Sequence, residues 1–414
     1  MKPLNHITPP VNCTGCGLCA NVCSRNSISM QWNDEGFLVP QVDLSSCVNC
    51  GLCVKQCIAL AEKPSYTDDI DNIVSYGGWN KDKDIHQKSS SGGVFTALAR
   101  KAINEGGCVF GVVWQDKLTA VFSKAETQEQ LFPMLGSKYT QAKPDYVYRE
   151  VKAELNSGRL VLFSGTPCQV HALKKYLRKP YDNLLTVDIV CHGTPSHLIL
   201  EKYVKEEESR TGKTIDHVSF RDKPEGWQLF HVTRHYTDGS HASVAFPSDI
   251  YMNMFLCDKA LNKVCYNCPY AHIPRQGDIT LGDYWGVEKH HSDWPMELGI
   301  SAILTNTPKG NAYLQDLSNM IDLKLEVSRN ICSAQPAVYV RPKKHLPKDR
   351  DLIFTKLPIW TLEEVRTKII NTTKIGPFRL RTRGNLYRAI TFLPRAIRYL
   401  KRHFDKYSNE DGKK

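Results

Sequence analysis

An eleven-residue cysteine motif, written twice, constrains this chain more than any other feature. Residues 13–23 read CTGCGLCANVC and residues 47–57 read CVNCGLCVKQC, the same C-x2-C-x2-C-x3-C spacing displaced by 34 positions. Three thiolates at this spacing wrap one side of a compact metal group, and a fourth follows after three more residues. Eight zinc-binding thiolates are the competing reading, but zinc sites rarely use a triple followed by a single cysteine. Disulfides would need an oxidising compartment. Met1–Val11 (MKPLNHITPPV) has no apolar stretch of the kind a signal peptide carries. No apolar run reaches the roughly 18 residues of a membrane span. Fifteen cysteines in such a chain point to a reducing, cytoplasmic setting and to cluster ligation.

The spacing predicts two 4Fe–4S clusters in a bacterial ferredoxin-like module. In that arrangement the fourth cysteine of each run serves the other cluster. Cys13, Cys16, Cys19 and Cys57 are therefore assigned to one cluster, and Cys47, Cys50, Cys53 and Cys23 to the other. Gly15, Gly17 and Gly51 let the backbone curl and aim its N–H groups at sulfur. The stretch between the runs suits a short hairpin, with Ser27–Met30 and Gly36–Val42 as its arms. Bacterial ferredoxins usually place Pro after the fourth cysteine; Ser24 and Ile58 stand there instead.

Beyond residue 63 cysteine density collapses, and 64–80 reads as a linker into a new domain. SSSGG (89–93) is a small-residue turn, and Val94–Asn104 has helical periodicity. Such a turn at a helix N-terminus suits a phosphate, and it equally suits simple helix capping. CVFGVVW (108–114) reads as a buried strand, VFSKA (121–125) as another, and GSKYTQ (136–141) as a polar loop. RLVLFSGTPCQVHALKKYL (159–177) is strand, turn and helix, with Cys168 in the helix's first turn. LLTVDIVCHGTPS (184–196) repeats the design and ends its strand at Cys191. Two cysteines at strand carboxyl ends can face one ligand site, or be two buried core residues. Cys265 and Cys268 add a C-x2-C, which makes a third set of four thiols beside the other two. Cys108, Cys257 and Cys332 are read as structural. Arg221, Asp222 and Lys223, followed by Gly226-Trp227, read as a charged turn between strands. HVTRHYTDGSHASV (231–244) reads as a hairpin around Asp238-Gly239. His217, His231, His235, His241 and His272 lack zinc spacing and read as ordinary polar residues.

SSSGG, GSKYTQ, GTPCQV (165–170), DIVCHGTPS (188–196), FRDK with GW (220–227), the C-x2-C at 265–268 and DITLGDYWG (278–286) occur in that order. Together they resemble the beta-subunit family of coenzyme F420 hydrogenases and dehydrogenases, over roughly 83–330. Relatives of that family include plant and cyanobacterial reductases acting on chlorophyll or bilin-like pigments. The resemblance implies FAD and a third 4Fe–4S cluster. It assigns Ser90, Ser91, Gly92, Gly93 and Thr96 to the flavin diphosphate. Lys138 and Tyr139 fall on a loop near the flavin, and Gly165, Thr166 and Pro167 at its edge. Cys168, Cys191, Cys265 and Cys268 match the family's cluster ligands. Asp278, Gly282 and Asp283 match its closing motif. Bacterial members of this length resemble proteins of polysaccharide biosynthesis.

The fold expected is α+β to α/β, in four parts. A ferredoxin-like module spans 1–63 and a linker 64–80. A mixed α/β flavin and iron–sulfur domain spans 81–330, with a boundary near 155. A connector and a basic amphipathic helical tail span 331–414. The tail from Lys374 holds twelve Lys/Arg against three Asp/Glu, +9 of the chain's +11, so the body is close to neutral. A nucleic-acid surface over that body is not expected. The tail, with GPFRLRTRGNLYRAITFLPRAIRYLKRHF (376–404), suits an anionic membrane surface or a partner, which makes the chain cytoplasmic or peripheral to a membrane. The expected activity is electron transfer between a one-electron carrier such as ferredoxin, or a partner redox subunit, the clusters, FAD and a two-electron substrate. The alternative is a non-catalytic subunit that delivers electrons to a partner enzyme.

Overall fold

The computed structural model describes residues 6–62, 64–67, 69–334 and 346–370. The basic tail read at 376–404 lies outside the described residues.

The N-terminal module has the expected plan. Short helices α1 (Leu18–Val22) and α2 (Leu52–Gln56) follow the two cysteine turns, and between them β1 (Ile28–Trp32) pairs antiparallel with β2 (Leu38–Val42). Each helix starts on a left-handed glycine, Gly17 and Gly51. Gly15 is left-handed in the first cysteine turn, and Asn49 stands left-handed at the matching place in the second. Asn is the residue that tolerates this conformation best after Gly.

The body is built on an eight-stranded mixed sheet in the order β13-β3-β12-β11-β7-β6-β4-β5. Its strands are β3 (Val74–Asn80), β4 (Cys108–Trp114), β5 (Ala120–Ala125), β6 (Val161–Gly165), β7 (Leu184–Ile189), β11 (Ile279–Asp283), β12 (Ser301–Thr305) and β13 (Ile321–Glu326). Strands β4, β6, β7 and β11 pair in parallel; β12 is antiparallel to both β11 and β3, so β3 runs with the parallel set. The linker read over 64–80 therefore ends at Ile73, because Val74–Asn80 is a strand inside the sheet. Its Gly77 and Gly78 made it look irregular, yet both are required. A Cβ at Gly77 would stand 2.1 Å from the Trp294 ring, and one at Gly78 2.8 Å from Ile303.

Helices cover both faces. Val109 and Leu162 pack with α4 (Val94–Asn104) and α9 (Pro308–Gln315), while Cys108, Phe110, Val161 and Phe163 pack with α5 (Val147–Asn156) and α6 (Pro167–Leu177). Successive strand residues thus serve opposite layers, which is why these strands read as unbroken apolar runs. The order of the remaining helices is α3 (Lys83–Lys88), α7 (His197–Thr211), α8 (Ile250–Leu256), α10 (Ser328–Ala334), α11 (Arg350–Lys356) and α12 (Leu362–Val365). A separate antiparallel sheet, β8 (Ile215–Asp222), β9 (His231–Tyr236) and β10 (His241–Ala245), packs with α7, α8 and α12. Among the described residues no helix is long and apolar enough to cross a membrane.

Within the stretch read as a connector, the described residues 346–370 form helices that pack on the body. Arg350, fully buried in α11, donates to both Glu35 carboxylate oxygens (3.0 and 2.6 Å) and to the Leu261 carbonyl (2.9 Å), and lies over Phe37 and Phe354. It ties the C-terminal helices to the turn of the module's hairpin. Removing one member of a buried pair strands the other, at a cost of about 3–5 kcal/mol. Glu35 keeps Lys263 at 3.3 Å, so Arg350→Ala should cost the lower part of that range. A lowered urea midpoint by circular dichroism of the anaerobically reconstituted protein is the expected reading. An unchanged midpoint would mean that the pair holds nothing.

Candidate functional site

The twelve cysteines of the three predicted sets fall into three groups in space. Cys13, Cys16 and Cys19 come from the first turn and α1, and Cys57 from the end of α2. Burial pushes the Cys13 thiol up to about 12, and Cys16 and Cys57 beside it add to the shift. Cys19 is raised further, with Cys16, Cys13 and Cys57 as its neighbours. Cys23, Cys47, Cys50 and Cys53 line a second cavity of about 360 Å³. The Gly15 and Asn49 amides each donate to the sulfur two residues earlier, Cys13 and Cys47, at 3.4 Å.

Cys168, Cys191, Cys265 and Cys268 line a third cavity of about 480 Å³, counting the space at its mouth. Capping sets Cys168: Thr166 opens α6, with Gln169 closing a capping box and Pro167 in the first turn. Cys191 follows β7, while Cys265 and Cys268 sit on the turn after Asn262, whose side chain caps Val264. The Thr194 amide donates to the Cys265 sulfur at 3.3 Å, and the Thr166 hydroxyl lies 3.1 Å from that of Cys168. Burial lifts the Cys168 and Cys265 thiols, Cys265 to about 12. Thiols raised in this way need a strongly cationic group to hold them as thiolates. Four cysteines around one cavity are the donor set that a 4Fe–4S cubane would take.

The first and third groups are neighbours. Leu18 and Ile58 of the module share an apolar core with Val147, Tyr148, Phe163 and Tyr270, and Cys16, Cys168 and Cys268 pack against it. Thr14 of the module lines the third cavity. Burial raises the Tyr148 and Tyr270 hydroxyls, and thiolates on Cys16 and Cys168 act on both. The seat is fixed by polar contacts. Tyr148 donates to the Cys16 carbonyl (2.7 Å), Arg149 to the carbonyls of Ala20, Asn21 and Cys23 (2.6–2.9 Å), Gln141 to Thr14, and Asn262 to Cys13.

The residues assigned to a flavin lie along the carboxyl edge of the parallel strands. The SSSGG turn follows β3 and α3, and Gly93, left-handed at φ 78°, opens α4. The turn's side chains are spent on the protein. The Ser90 hydroxyl accepts from the Ser137 amide, Ser91 donates to the Ile300 carbonyl, and the Gly92 amide donates to Ser301. Thr96 is buried in the first turn of α4. Gly165 ends β6, and Thr166 and Pro167 stand at the third cysteine set.

Three cations surround this turn. Arg221 donates twice to Asp283 (2.9 and 3.1 Å) and also to the Ser90 carbonyl and the Tyr139 hydroxyl; Trp227 donates to Asp283 as well. Lys223 donates to the carbonyls of His86, Ser91 and Leu298, and Lys138 to those of Pro133, Leu135 and Gly136. Among the described residues neither lysine has a carboxylate at ion-pair distance. Burial pulls both down to about 7, and Arg221 adds to the shift at Lys223. Lys223 is buried and Lys138 half-buried, and each spends its three N–H donors on backbone carbonyls. The reading of Arg221, Asp222 and Lys223 as a charged turn between strands is corrected: Arg221 and Asp222 end strand β8, and Arg221 and Lys223 are buried. Sequence reasoning missed this hub because its partners stand far apart in the chain; the one signal was two cations and Asp222 closing an apolar strand.

The lysine shift has a pH signature. Between about pH 7 and the ordinary lysine range near 10.5, the unfolded Lys223 holds a proton that the folded one has lost. Stability contributed at this position therefore rises with pH through that window. In flavin-free protein, the thermal midpoint of the parent should gain on that of Lys223→Met between pH 7 and pH 9. A constant difference would contradict the shift.

Comparison with known proteins follows the same lines. Residues 12–61 match the 4Fe-4S dicluster domain. Residues 75–144 and 158–329 match, respectively, the N-terminal and C-terminal models of the coenzyme F420 hydrogenase/dehydrogenase beta subunit. The coenzyme F420 hydrogenase subunit beta of Methanococcus voltae is 24% identical over 277 residues, 64% of this chain and 88% of that protein. A chain from the F420-reducing [NiFe] hydrogenase complex of Methanosarcina barkeri superposes with a TM-score of 0.44 at 18% identity. That alignment covers 74% of this chain and 93% of the other.

Proposed function

The chain belongs to the coenzyme F420 hydrogenase/dehydrogenase beta-subunit family, and on that premise we propose a flavin-dependent iron–sulfur oxidoreductase that joins one-electron to two-electron chemistry. Iron–sulfur electron transfer in an oxidoreductase family is the common property of its three matched regions. The finer reading rests on one observation: three four-cysteine sets occur in one chain, and the last stands at the carboxyl ends of β6 and β7, the same edge of the sheet at which β3 leads into α3 and the SSSGG turn.

When bound, three 4Fe–4S groups supply single-electron steps and FAD supplies exchange of an electron pair or hydride. Cys13, Cys16, Cys19 and Cys57 hold the first cluster, Cys23, Cys47, Cys50 and Cys53 the second, and Cys168, Cys191, Cys265 and Cys268 the third. Tyr148, Tyr270 and the apolar core around them exclude water between the first and third sets. Lys138, Lys223 and the α4 N-terminus balance the flavin diphosphate. Arg221, held by Asp283, fixes the Ser90 carbonyl and the Tyr139 hydroxyl beside it. Domains are proposed at 1–63, for the module, and at 74–330, for the flavin and iron–sulfur body.

The two-electron partner is a small molecule or a second protein. The Methanococcus voltae relative is by name a subunit, which favours a partner redox subunit as the second reading, with this chain delivering electrons to it. Nucleotide-sugar intermediates of polysaccharide synthesis and a deazaflavin are the acceptors to screen first. Peripheral membrane contact through 376–404, in a cytoplasmic protein, is part of the same proposal and rests on the sequence pattern.

Cys265→Ala, purified and reconstituted anaerobically, should lose about a third of its iron and keep flavin absorbance. Unchanged iron would remove the third cluster, and a parent without flavin absorbance would remove FAD.

A further inference from the structure

We propose that the second cysteine set, Cys23, Cys47, Cys50 and Cys53, is the electron port of the molecule, and that Leu44 and Val48 form the contact on which a small one-electron carrier protein docks. The inference rests on the electron-transfer reading above and adds the order of its steps.

The three sets differ in what surrounds them. The third cavity is walled by body residues and by Thr14 of the module. The first set faces the body, with Cys16 in the shared core, Cys19 and Cys57 buried, and Gly17 so close to Pro144 that a Cβ would stand 2.3 Å from its ring. The second cavity is lined only by residues 23–28 and 47–53, with nothing from the body. Cys50 is the one exposed cysteine of the fifteen. Distance completes the argument: a single electron passes between centres only when they are brought close, and an exposed cysteine is found in this set and in neither of the others.

The surface beside this set carries two exposed apolar side chains next to the exposed Ser24 and Arg25. Leu44 is 65% exposed and Val48 62% exposed, in the same short stretch that delivers Cys47 and Cys50. The nearest carboxylate in sequence, Asp43, is turned onto the hydroxyls of Ser45 and Ser46. Two apolar side chains are too little for a permanent subunit interface. They suit the small, transient contacts of electron-transfer encounters, which bury less than about 1,200 Å². The occupant is therefore a one-electron carrier that binds, transfers and leaves. One electron leaves the carrier's reduced centre, which is oxidised, and reduces the group held by Cys23, Cys47, Cys50 and Cys53. Each two-electron reduction downstream needs two such encounters.

The test uses the full chain, reconstituted anaerobically, and a small bacterial-type ferredoxin as the probe. Leu44→Glu, outside the cavity lining, and the double variant Leu44→Glu/Val48→Glu should both bind the probe at least tenfold more weakly at steady state, while the iron content of Leu44→Glu and its reduction by dithionite match the parent. Leu325→Glu, exposed on β13 of the body, should bind like the parent. Lysine crosslinking of probe to parent should mark Lys55 on α2. Parent-like affinity of the double variant, crosslinks confined to distant lysines such as Lys324, or loss of a self-association in place of probe binding would each overturn the port. Failure of the underlying reading looks different: the parent itself would then hold no iron at the N-terminal sets.

Discussion

Arg149 closes the end of α1, and much of the architecture depends on that contact. A five-residue helix satisfies few of its own carbonyls. Here the guanidinium takes those of Ala20, Asn21 and Cys23, and it reaches the Asn26 side chain as well. Its neighbour Tyr148 takes the Cys16 carbonyl. Two adjacent residues of one body helix thus set where the first cysteine turn sits. Because the turn's own geometry is fixed by Gly15 and Gly17, setting the helix sets the sulfurs. The relation between the module and the body is a matter of hydrogen bonds a few ångströms long, not of a tether.

The opposite end of the module is held as firmly. Gly36, at the hairpin turn, lies so close to the start of α7 that a Cβ would stand 2.5 Å from the Leu198 amide, while the Ser196 hydroxyl takes the Glu35 carbonyl. Trp32 stacks on His197 at 4.2 Å, nearly parallel. With Arg350 beneath Glu35, two segments from different parts of the chain converge on one β-turn. A module joined at a single edge would swing; one joined at its hairpin turn and at α1 cannot change its distance to the body without breaking several contacts together.

What was legible in the sequence follows from how local each signal is. The cysteine turns were legible because ligand spacing is a property of a dozen consecutive residues. Val94–Asn104, Cys108–Trp114 and the stretch around Asp238-Gly239 were legible because each carries its own period and its own turn residues. Strand β3 was not, since glycines weaken strand propensity and their reason, Trp294 and Ile303, lies more than two hundred positions away. The Arg221–Asp283 pair spans 62 positions and Lys223 finds its carbonyls on three separate segments; nothing in FRDK distinguishes a buried hub from a surface turn. The connector after 331 misled for a related reason. Its prolines speak of local irregularity, and the burial of Arg350 is decided by a glutamate 315 positions earlier.

Thr14 gives the arrangement a further meaning. It belongs to the module, and it forms part of the wall around Cys168, Cys191, Cys265 and Cys268. The N-terminal segment is thus also a roof for sulfur ligands that it does not itself supply. Iron–sulfur groups are damaged by oxygen in proportion to their contact with solvent. A chain shortened at its N-terminus would lose its first two cysteine sets and also one wall of the cavity around the third, so under the proposed function the module would shelter the third set as well as pass electrons.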